Sequence, residues 1–291
     1  MIFEGSGVAL VTPFNEKNEI DYMMLKKLIE YQISNGTNAI VILGTTGESS
    51  TITVAEREKI IKFCVYIVNG LVPVIVGTGS NSTETAISLT MQAKRLGADG
   101  ALVVTPYYNK CNQTGLFEHY KKIALKTRFP IIIYNVPSRT GVNILPETVL
   151  KLSKINNIVG IKEASGNLGQ ISKLIHILPE DFPVYSGDDN LTLPLLSLGA
   201  RGVISVTANA YPNFVSLLCK YMKKMDLQNA KNINEKLYEV NSALFLDVNP
   251  ICIKAYMKLL GFDVGKPRLP LTFASNEIIK KLKEVKNKYE N

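Results

Sequence analysis

The chain has 291 residues and a formal charge of +8, with four cysteines and two histidines. No apolar run approaches the ~20 residues that cross a bilayer. The cysteines form no C-x-x-C pair, and His119 and His176 stand apart, which argues against a disulfide framework and a zinc site. MIFEGSGVAL at the amino terminus carries an acid and lacks the basic region and cleavage pattern of a signal peptide, so a soluble cytoplasmic protein is expected. From Ile251 onward nine Lys/Arg stand against four Asp/Glu. The tail IIKKLKEVKNKYEN places Ile278, Ile279, Leu282 and Val285 at helical spacing with lysines on the other face. That pattern is a solvated helix face, and no aromatic interleaving supports stacking on nucleic acid.

In chain order, strand-like and helix-like segments alternate. Strands are expected at Val8–Pro13, Ala39–Gly44, Pro73–Gly77, Ala101–Pro106, Pro130–Val136, Ile158–Ala164, Pro183–Gly187 and Gly202–Val206. Helical periodicity runs from about Asp21 to Ser34, then Thr53 to Asn69, Thr83 to Leu96 and Thr114 to Lys126. It recurs at Pro146 to Lys154, Leu168 to Leu178, Leu191 to Leu198 and Pro212 to Met225. Thr53 with Glu56 fits a capping box. Eight strands separated by single helices imply right-handed βαβ units, and eight such units within 1–225 are what a closed (β/α)8 TIM barrel requires. A doubly wound open sheet is the alternative, but no G-x-G-x-x-G follows the first strand and no phosphate-binding G-x-x-x-x-G-K-[ST] occurs. Residues 226–291 then form a carboxy-terminal helical appendage on the α/β barrel. Ala230, Ile233, Leu237, Val240 and Leu244 make one stripe; a second helix starts at Pro250 and ends at Gly261, and the tail is a third.

One lysine interrupts the apolar run IVGIKEA, Ile158 to Ala164. Lys162 shares an alternating face with Ile158, Gly160 and Ala164, and the glycine two residues earlier leaves room for it. The run reads as a strand buried on both faces. Desolvation of the ammonium favours the neutral amine, which attacks carbonyl carbons and forms Schiff bases. The structural alternative is a strand-end lysine whose head reaches water or a carboxylate. In a barrel the active site lies at the carboxy-terminal strand ends. There the sequence places Gly44-Thr45-Thr46-Gly47-Glu48, Thr105-Pro106-Tyr107-Tyr108-Asn109, the segment from Tyr134 to Gly141 with Arg139, Ser186-Gly187-Asp188-Asp189, and Ile204-Ser205-Val206-Thr207. Hydroxyls, one guanidinium and one lysine suit a small keto acid. Taken singly, Thr45-Thr46-Gly47 is more often a turn cap and Tyr134 a core aromatic; their joint placement on one rim reverses that weighting.

GTTGES (Gly44–Ser49), VTPYYN (Val104–Asn109), YNVPSRTG (Tyr134–Gly141), GIKEASGN (Gly160–Asn167), SGDD (Ser186–Asp189) and GVISVTAN (Gly202–Asn209) together resemble the dihydrodipicolinate synthase family of pyruvate-dependent class I aldolases. The resemblance continues to NPICIK (Asn249–Lys254) and RLPLT (Arg268–Thr272). It implies condensation of pyruvate with L-aspartate 4-semialdehyde to 4-hydroxy-tetrahydrodipicolinate on the way to diaminopimelate and lysine, with no metal and no dissociable cofactor. Motif by motif, it makes Lys162 the residue that forms the imine with pyruvate and Tyr134 the proton carrier, linked through Thr45 to Tyr108. Thr46 would hold the pyruvate carboxylate, Arg139 would dock the semialdehyde carboxylate, the carbonyl of Ile204 would lie beside the lysine, and Gly187 would line the substrate site. The resemblance also implies a homo-oligomer, most often a dimer of dimers, in which Tyr108 enters a neighbouring site.

The rival reading is a sugar-acid lyase of the N-acetylneuraminate type, which shares the lysine and tyrosine. Arg139 separates the two, because a fixed cation suits a short anionic aldehyde. Family members inhibited by lysine bind it in a cleft that matches Ser49, Ser50, Val54, Arg57, Asn81, Thr85 and Tyr107. Inhibited members usually carry a residue such as histidine at Val54 and a glutamate at Thr85 to pair with the inhibitor's ammonium, and Arg57 adds a positive charge. Insensitivity to lysine is expected, with Glu84 as the neighbouring carboxylate that would overturn it.

Overall fold

Eight mostly apolar runs, several of them rich in Val and Ile, form eight short strands. They are β1 (Gly5–Ala9), β2 (Ala39–Ile42), β3 (Val74–Gly77), β4 (Gly100–Val104), β5 (Ile131–Asn135), β6 (Ile158–Glu163), β7 (Val184–Ser186) and β8 (Gly202–Ser205). Each pairs in parallel with its sequence neighbour, and β8 pairs back onto β1 to close the barrel. The computed structural model describes residues 1–290; Asn291, the last residue of the expected carboxy-terminal region, lies outside the described residues. Among the described residues no helix is long and apolar enough to cross a membrane.

The connecting helices are α1 (Tyr22–Ser34), α2 (Val54–Val68), α3 (Thr83–Arg95), α4 (Gln113–Thr127) and α5 (Pro137–Thr140). They continue with α6 (Pro146–Leu152), α7 (Leu168–Ile177), α8 (Thr192–Ser197) and α9 (Pro212–Lys223). Polar residues start most of the longer ones by accepting an otherwise unpaired backbone N–H: Asp21, Thr53, Ser82, Asn112 and Asn167. At α2 the reciprocal Thr53–Glu56 box is complete. Three more helices follow the barrel: α10 (Leu227–Ala243), α11 (Ile251–Leu259) and α12 (Asn276–Glu290). On α10 the residues Ala230, Leu237 and Val240 are buried, as is Leu244 at its end, while Ile233 is half-buried. The helix packs on α9 and α12, and α12 also packs on α11.

Strand alternation divides the core into two layers. Outward residues such as Ile40, Val103, Ile133, Ile161 and Val203 pack against the helices. Inward residues such as Val41, Leu102, Ile132, Tyr134, Tyr185 and Ile204 fill the barrel. The amino-terminal end is plugged by Phe3, which stacks on Tyr185 at 4.4 Å and accepts the tyrosine's O–H through its carbonyl at 2.6 Å. Each such large buried side chain contributes roughly 1.5–3 kcal/mol. The plug leaves the carboxy-terminal end as the open one.

Two local expectations differ from what is observed. The first strand is Gly5–Ala9, not Val8–Pro13. Beyond Leu10 the run leaves the ladder, because the Val11 N–H is taken by Asn209 Oδ1 at 3.0 Å and the Thr12 hydroxyl donates to the Gly47 carbonyl at 2.7 Å. It continues as a buried rim segment. In β6 the register against β5 shifts, so that Ile158 opposes Ile131 while Gly160 opposes Ile132. The extra residue breaks the alternation, and Ile158 joins the outer layer rather than the face of Lys162.

Candidate active site

Lys162 reaches the barrel interior from β6, directly opposite Tyr134 of β5, and is only 5% exposed. Its Nζ sits 4.3 Å from the centroid of the Tyr134 ring, and no carboxylate pairs with it among the described residues. Space for the lysine comes from the next strand end. A Cβ added to Gly187 would lie 2.9 Å from Lys162 Cε and 3.1 Å from its Cγ, so only glycine fits there. Gly160, the glycine expected to make that room, instead faces Pro183 and the Tyr185 ring. The strand ends are held from behind. Glu163, the outward neighbour of Lys162, accepts hydrogen bonds from Asn135 Nδ2 (3.1 and 3.2 Å) and from the Ser165 N–H (2.7 Å), and burial pushes its carboxyl up. Asp189, raised by burial as well, accepts from Ser205 Oγ and from the N–H groups of Val206 (2.9 Å) and Thr207 (3.1 Å).

Thr45 and Thr46 lie on a tight turn after β2. The Glu48 N–H donates to the Thr45 carbonyl at 3.1 Å, and Ser49 N–H to Gly44 at 3.3 Å. Glu48 closes the turn in the left-handed region at φ 54°, ψ 38°. Thr46 Oγ1 accepts from Asn249 Nδ2 at 3.0 Å, and the Asn249 carbonyl accepts from Arg139 at 3.2 Å. Asn249 therefore joins two expected site residues, although motif reading gave it no role. Its own Oδ1 is buried with no donor.

Lys162, Thr45, Thr46, Tyr134, Arg139 and Gly187 line one cavity of about 500 Å3 at the open end. A second cavity of about 440 Å3 shares Thr45, Tyr134 and Arg139 with it and extends toward Ser49, Arg57 and Tyr107. Thr45 and Tyr134 thus stand between the two. Arg57 is buried, donates to the Gly77 carbonyl, and has its guanidinium lowered to about 10 by burial. Thr85 lines this second cavity, whereas Glu84 is exposed and pairs with Lys122. Val54 is exposed, and Asn81 is engaged through its carbonyl, which accepts from Asn109 at 2.9 Å.

Two expected residues stand outside the lysine cavity. Tyr108 is 89% exposed at φ 72° on the loop after β4, and Ile204 is enclosed in the interior layer of β8. Among the described residues no group of three or more His, Cys, Asp or Glu could hold a metal ion. What the lysine cavity holds is one buried amine without a counter-charge, a phenol against it, two threonine hydroxyls on a fixed turn and a guanidinium at the mouth. That set can add an amine to a ketone, move protons and dock a carboxylate. Asn249 was legible only as the polar residue before Pro250 at the head of an apolar helix, a signal that normally reads as a cap.

The dihydrodipicolinate synthetase family matches residues 2–288. The chain is 50% identical over 271 residues to the 4-hydroxy-tetrahydrodipicolinate synthase of Alkaliphilus oremlandii, covering 93% of each. The crystal structure of dihydrodipicolinate synthase from Aquifex aeolicus is 49% identical with a TM-score of 0.96 over 99% of this chain and 98% of that one. The corresponding Thermotoga maritima structure is 44% identical with a TM-score of 0.98, covering 100% and 99%.

Proposed function

The chain belongs to the dihydrodipicolinate synthetase family, and on that premise we propose that it condenses pyruvate with L-aspartate 4-semialdehyde to 4-hydroxy-tetrahydrodipicolinate at Lys162. The observation that carries the assignment of the site is the buried Lys162 amine, unpaired, against Tyr134 and in the space left by Gly187.

The neutral amine adds to the ketone carbon of pyruvate, and the resulting carbinolamine loses water to give an imine. Tyr134 is the nearest phenol to supply and recover those protons, with Thr45 beside it and Thr46 binding the pyruvate carboxylate. The protonated imine draws electrons from the adjacent methyl group, so loss of one proton gives an enamine in a pocket shielded from bulk water. Its terminal carbon attacks the aldehyde of the semialdehyde, whose carboxylate Arg139 holds at the mouth. The amine of that second substrate then attacks the imine carbon, closes the ring and displaces Lys162. No metal or dissociable cofactor enters this sequence, since the covalent imine is itself the electron sink.

Tyr108, projecting from its own subunit, suits a residue that completes a neighbour's relay, and we read the enzyme as a homo-oligomer, a dimer of dimers. Mixing Tyr108→Phe subunits with Lys162→Ala subunits should restore activity that neither has alone; folded variants that restore none would end the shared-site reading. Insensitivity to lysine is supported by the second cavity, where Arg57 and Thr85 stand and Glu84 is turned to Lys122. Half-inhibition by submillimolar L-lysine would reverse that reading.

The direct experiment is borohydride reduction in the presence of pyruvate followed by peptide mass analysis, beside a coupled assay with aspartate semialdehyde and a parallel one with N-acetylneuraminate. A pyruvate adduct on Lys162 and turnover only with the semialdehyde are expected. An unmodified Lys162 would sink the proposal, and turnover of N-acetylneuraminate alone would favour the sugar-acid lyase.

A further inference from the structure

We propose that Glu48 and Lys254 are positioning residues for the pyruvate-carboxylate site, through which the segment Asn249–Arg268 sets the geometry of the Thr45–Thr46 turn. The inference rests on the function proposed above and adds residues to that site.

Glu48 follows the turn by two residues and closes it through its N–H to Thr45, in a left-handed backbone conformation that a side-chain residue keeps only where its surroundings enforce it. The surroundings come from the far end of the chain. Glu48 Oε2 accepts the Arg268 N–H at 2.8 Å across 220 positions, and Lys254 Nζ lies 2.5 Å from Oε1. The carboxylate is thus held through both oxygens, one by the Arg268 N–H and the other by the Lys254 ammonium. Both side chains are removed from water, at 0% and 2% exposure. The Phe14 ring holds the two cations, Lys254 Nζ at 4.1 Å and Arg268 Cζ at 4.4 Å from its centroid. Arg268 is anchored in turn by Glu56 (2.5 and 2.9 Å) and the carbonyls of Asn18 and Thr51. From the same segment Asn249 grips Thr46 itself. The turn is thus clasped at Thr46 and again at Glu48 by residues that do not belong to the barrel's strand ends.

Stability alone does not account for the pair. A buried ion pair is commonly no more stabilising than an apolar pair of the same volume. Here burial outweighs the attraction of Glu48 and lowers Lys254 to about 8 from 10.5, so desolvation of the ammonium is only partly offset by its partner. What a charged pair supplies and an apolar pair does not is a fixed orientation of the carboxylate, and with it the backbone of the turn.

The test uses the assembled enzyme with two variants. The double variant Glu48→Leu with Lys254→Met replaces the ion pair by an apolar one and strands no charge; Glu48→Gln keeps the shape and an acceptor for the Arg268 N–H. Pyruvate affinity is read from the concentration dependence of borohydride trapping at Lys162, folding from thermal unfolding, and KM for each substrate from the coupled assay. The expected result is a double variant that unfolds at or above the wild-type temperature. Its half-saturating pyruvate concentration should nonetheless rise at least about tenfold, with a smaller change in KM for the semialdehyde. A folded double variant with wild-type half-saturation overturns the proposal. If it does not fold, Glu48→Gln decides by the same readout, and failure of both to fold overturns it as well, by making the pair a requirement of the fold. Wild-type enzyme that pyruvate and borohydride leave unlabelled would instead count against the function itself.

Discussion

Lys162 and Lys254 carry one signature in the sequence and have two fates in the structure. Each interrupts an apolar run, IVGIKEA in one case and ICIKAYM in the other. Each is buried, and each points its ammonium at an aromatic face, at 4.3 Å for Tyr134 and 4.1 Å for Phe14. Lys254 has a carboxylate 2.5 Å away on an element that must be held in place. Lys162 has none among the described residues, and faces a cavity instead. A lysine in an apolar run therefore signals burial, and the presence or absence of a counter-charge separates a clasp from a nucleophile.

The sharpest way to break that comparison is to make the same substitution at both places. Lys162→Met should lower turnover by at least about 10³-fold and abolish borohydride labelling, while thermal unfolding stays near the wild-type temperature because no partner is stranded. Lys254→Met on its own should cost stability first, with borohydride labelling at Lys162 retained at a higher pyruvate concentration. It leaves Glu48 buried without its cation, which costs about 3–5 kcal/mol, read as a fall in the urea midpoint at constant slope. Equal stability losses at the two sites would mean that the pairing difference is not what distinguishes them.

A smaller effect sharpens the boundary of the nucleophile's own site. Arg139→Ala removes a charge-assisted carboxylate contact, worth about 1.5–3 kcal/mol, so the half-saturating concentration of the semialdehyde should rise roughly 10–100-fold. Pyruvate should be affected much less. Arg139 also donates to the carbonyl of Asn249, so part of any pyruvate effect would travel through Thr46. Equal effects on both substrates would make Arg139 structural.

The alternation of apolar runs with helical periodicity made the barrel readable without coordinates, because hydrogen-bonded ladders and amphipathic faces are local patterns. The strand-end motifs likewise placed Thr45, Thr46, Tyr134, Arg139, Lys162 and Gly187 on one rim, and these six line one cavity. What escaped was of two kinds. The added residue in β6 is invisible to alternation and moves Ile158 off the face of Lys162; Gly160 keeps that face but abuts Pro183 and Tyr185, and the space for the lysine is left by Gly187 of the next strand end, which no pattern within one strand reveals. Asn249, Lys254 and Arg268 act on a turn more than 200 positions away, and no periodicity links residues at that separation. The apolar run around Lys254 was the available clue, and a carboxylate at Glu48 lay within the motif that it clasps.

The smallest expected effect concerns the buried group that joins neither lysine's region. His119 sits under α3 with its Nδ1 2.9 Å from Thr83 Oγ1, its Nε2 without a partner and its ring edge-on to Tyr120. Burial lowers it to about 4 from 6.5, so the folded protein holds it neutral while the unfolded chain takes up a proton near 6.5. Between those values the unfolded state binds more protons, and stability falls as pH falls through the window, by up to about 1.4 kcal/mol per unit. Glu56, lowered to about 2 from 4.5 chiefly by its hydrogen bonds to Arg268, loses its contribution only below about 4.5. His176, the other histidine, is exposed. Glu163 and Asp189, both raised by burial, take up protons ahead of the unfolded chain and act in the opposite sense, so His119 is read from the difference between the wild type and a His119 variant rather than from the wild type alone. Thermal unfolding of the wild type should drop between pH 7 and pH 5, and His119→Gln should flatten most of that drop; a variant that loses as much as the wild type would move the acid sensitivity elsewhere.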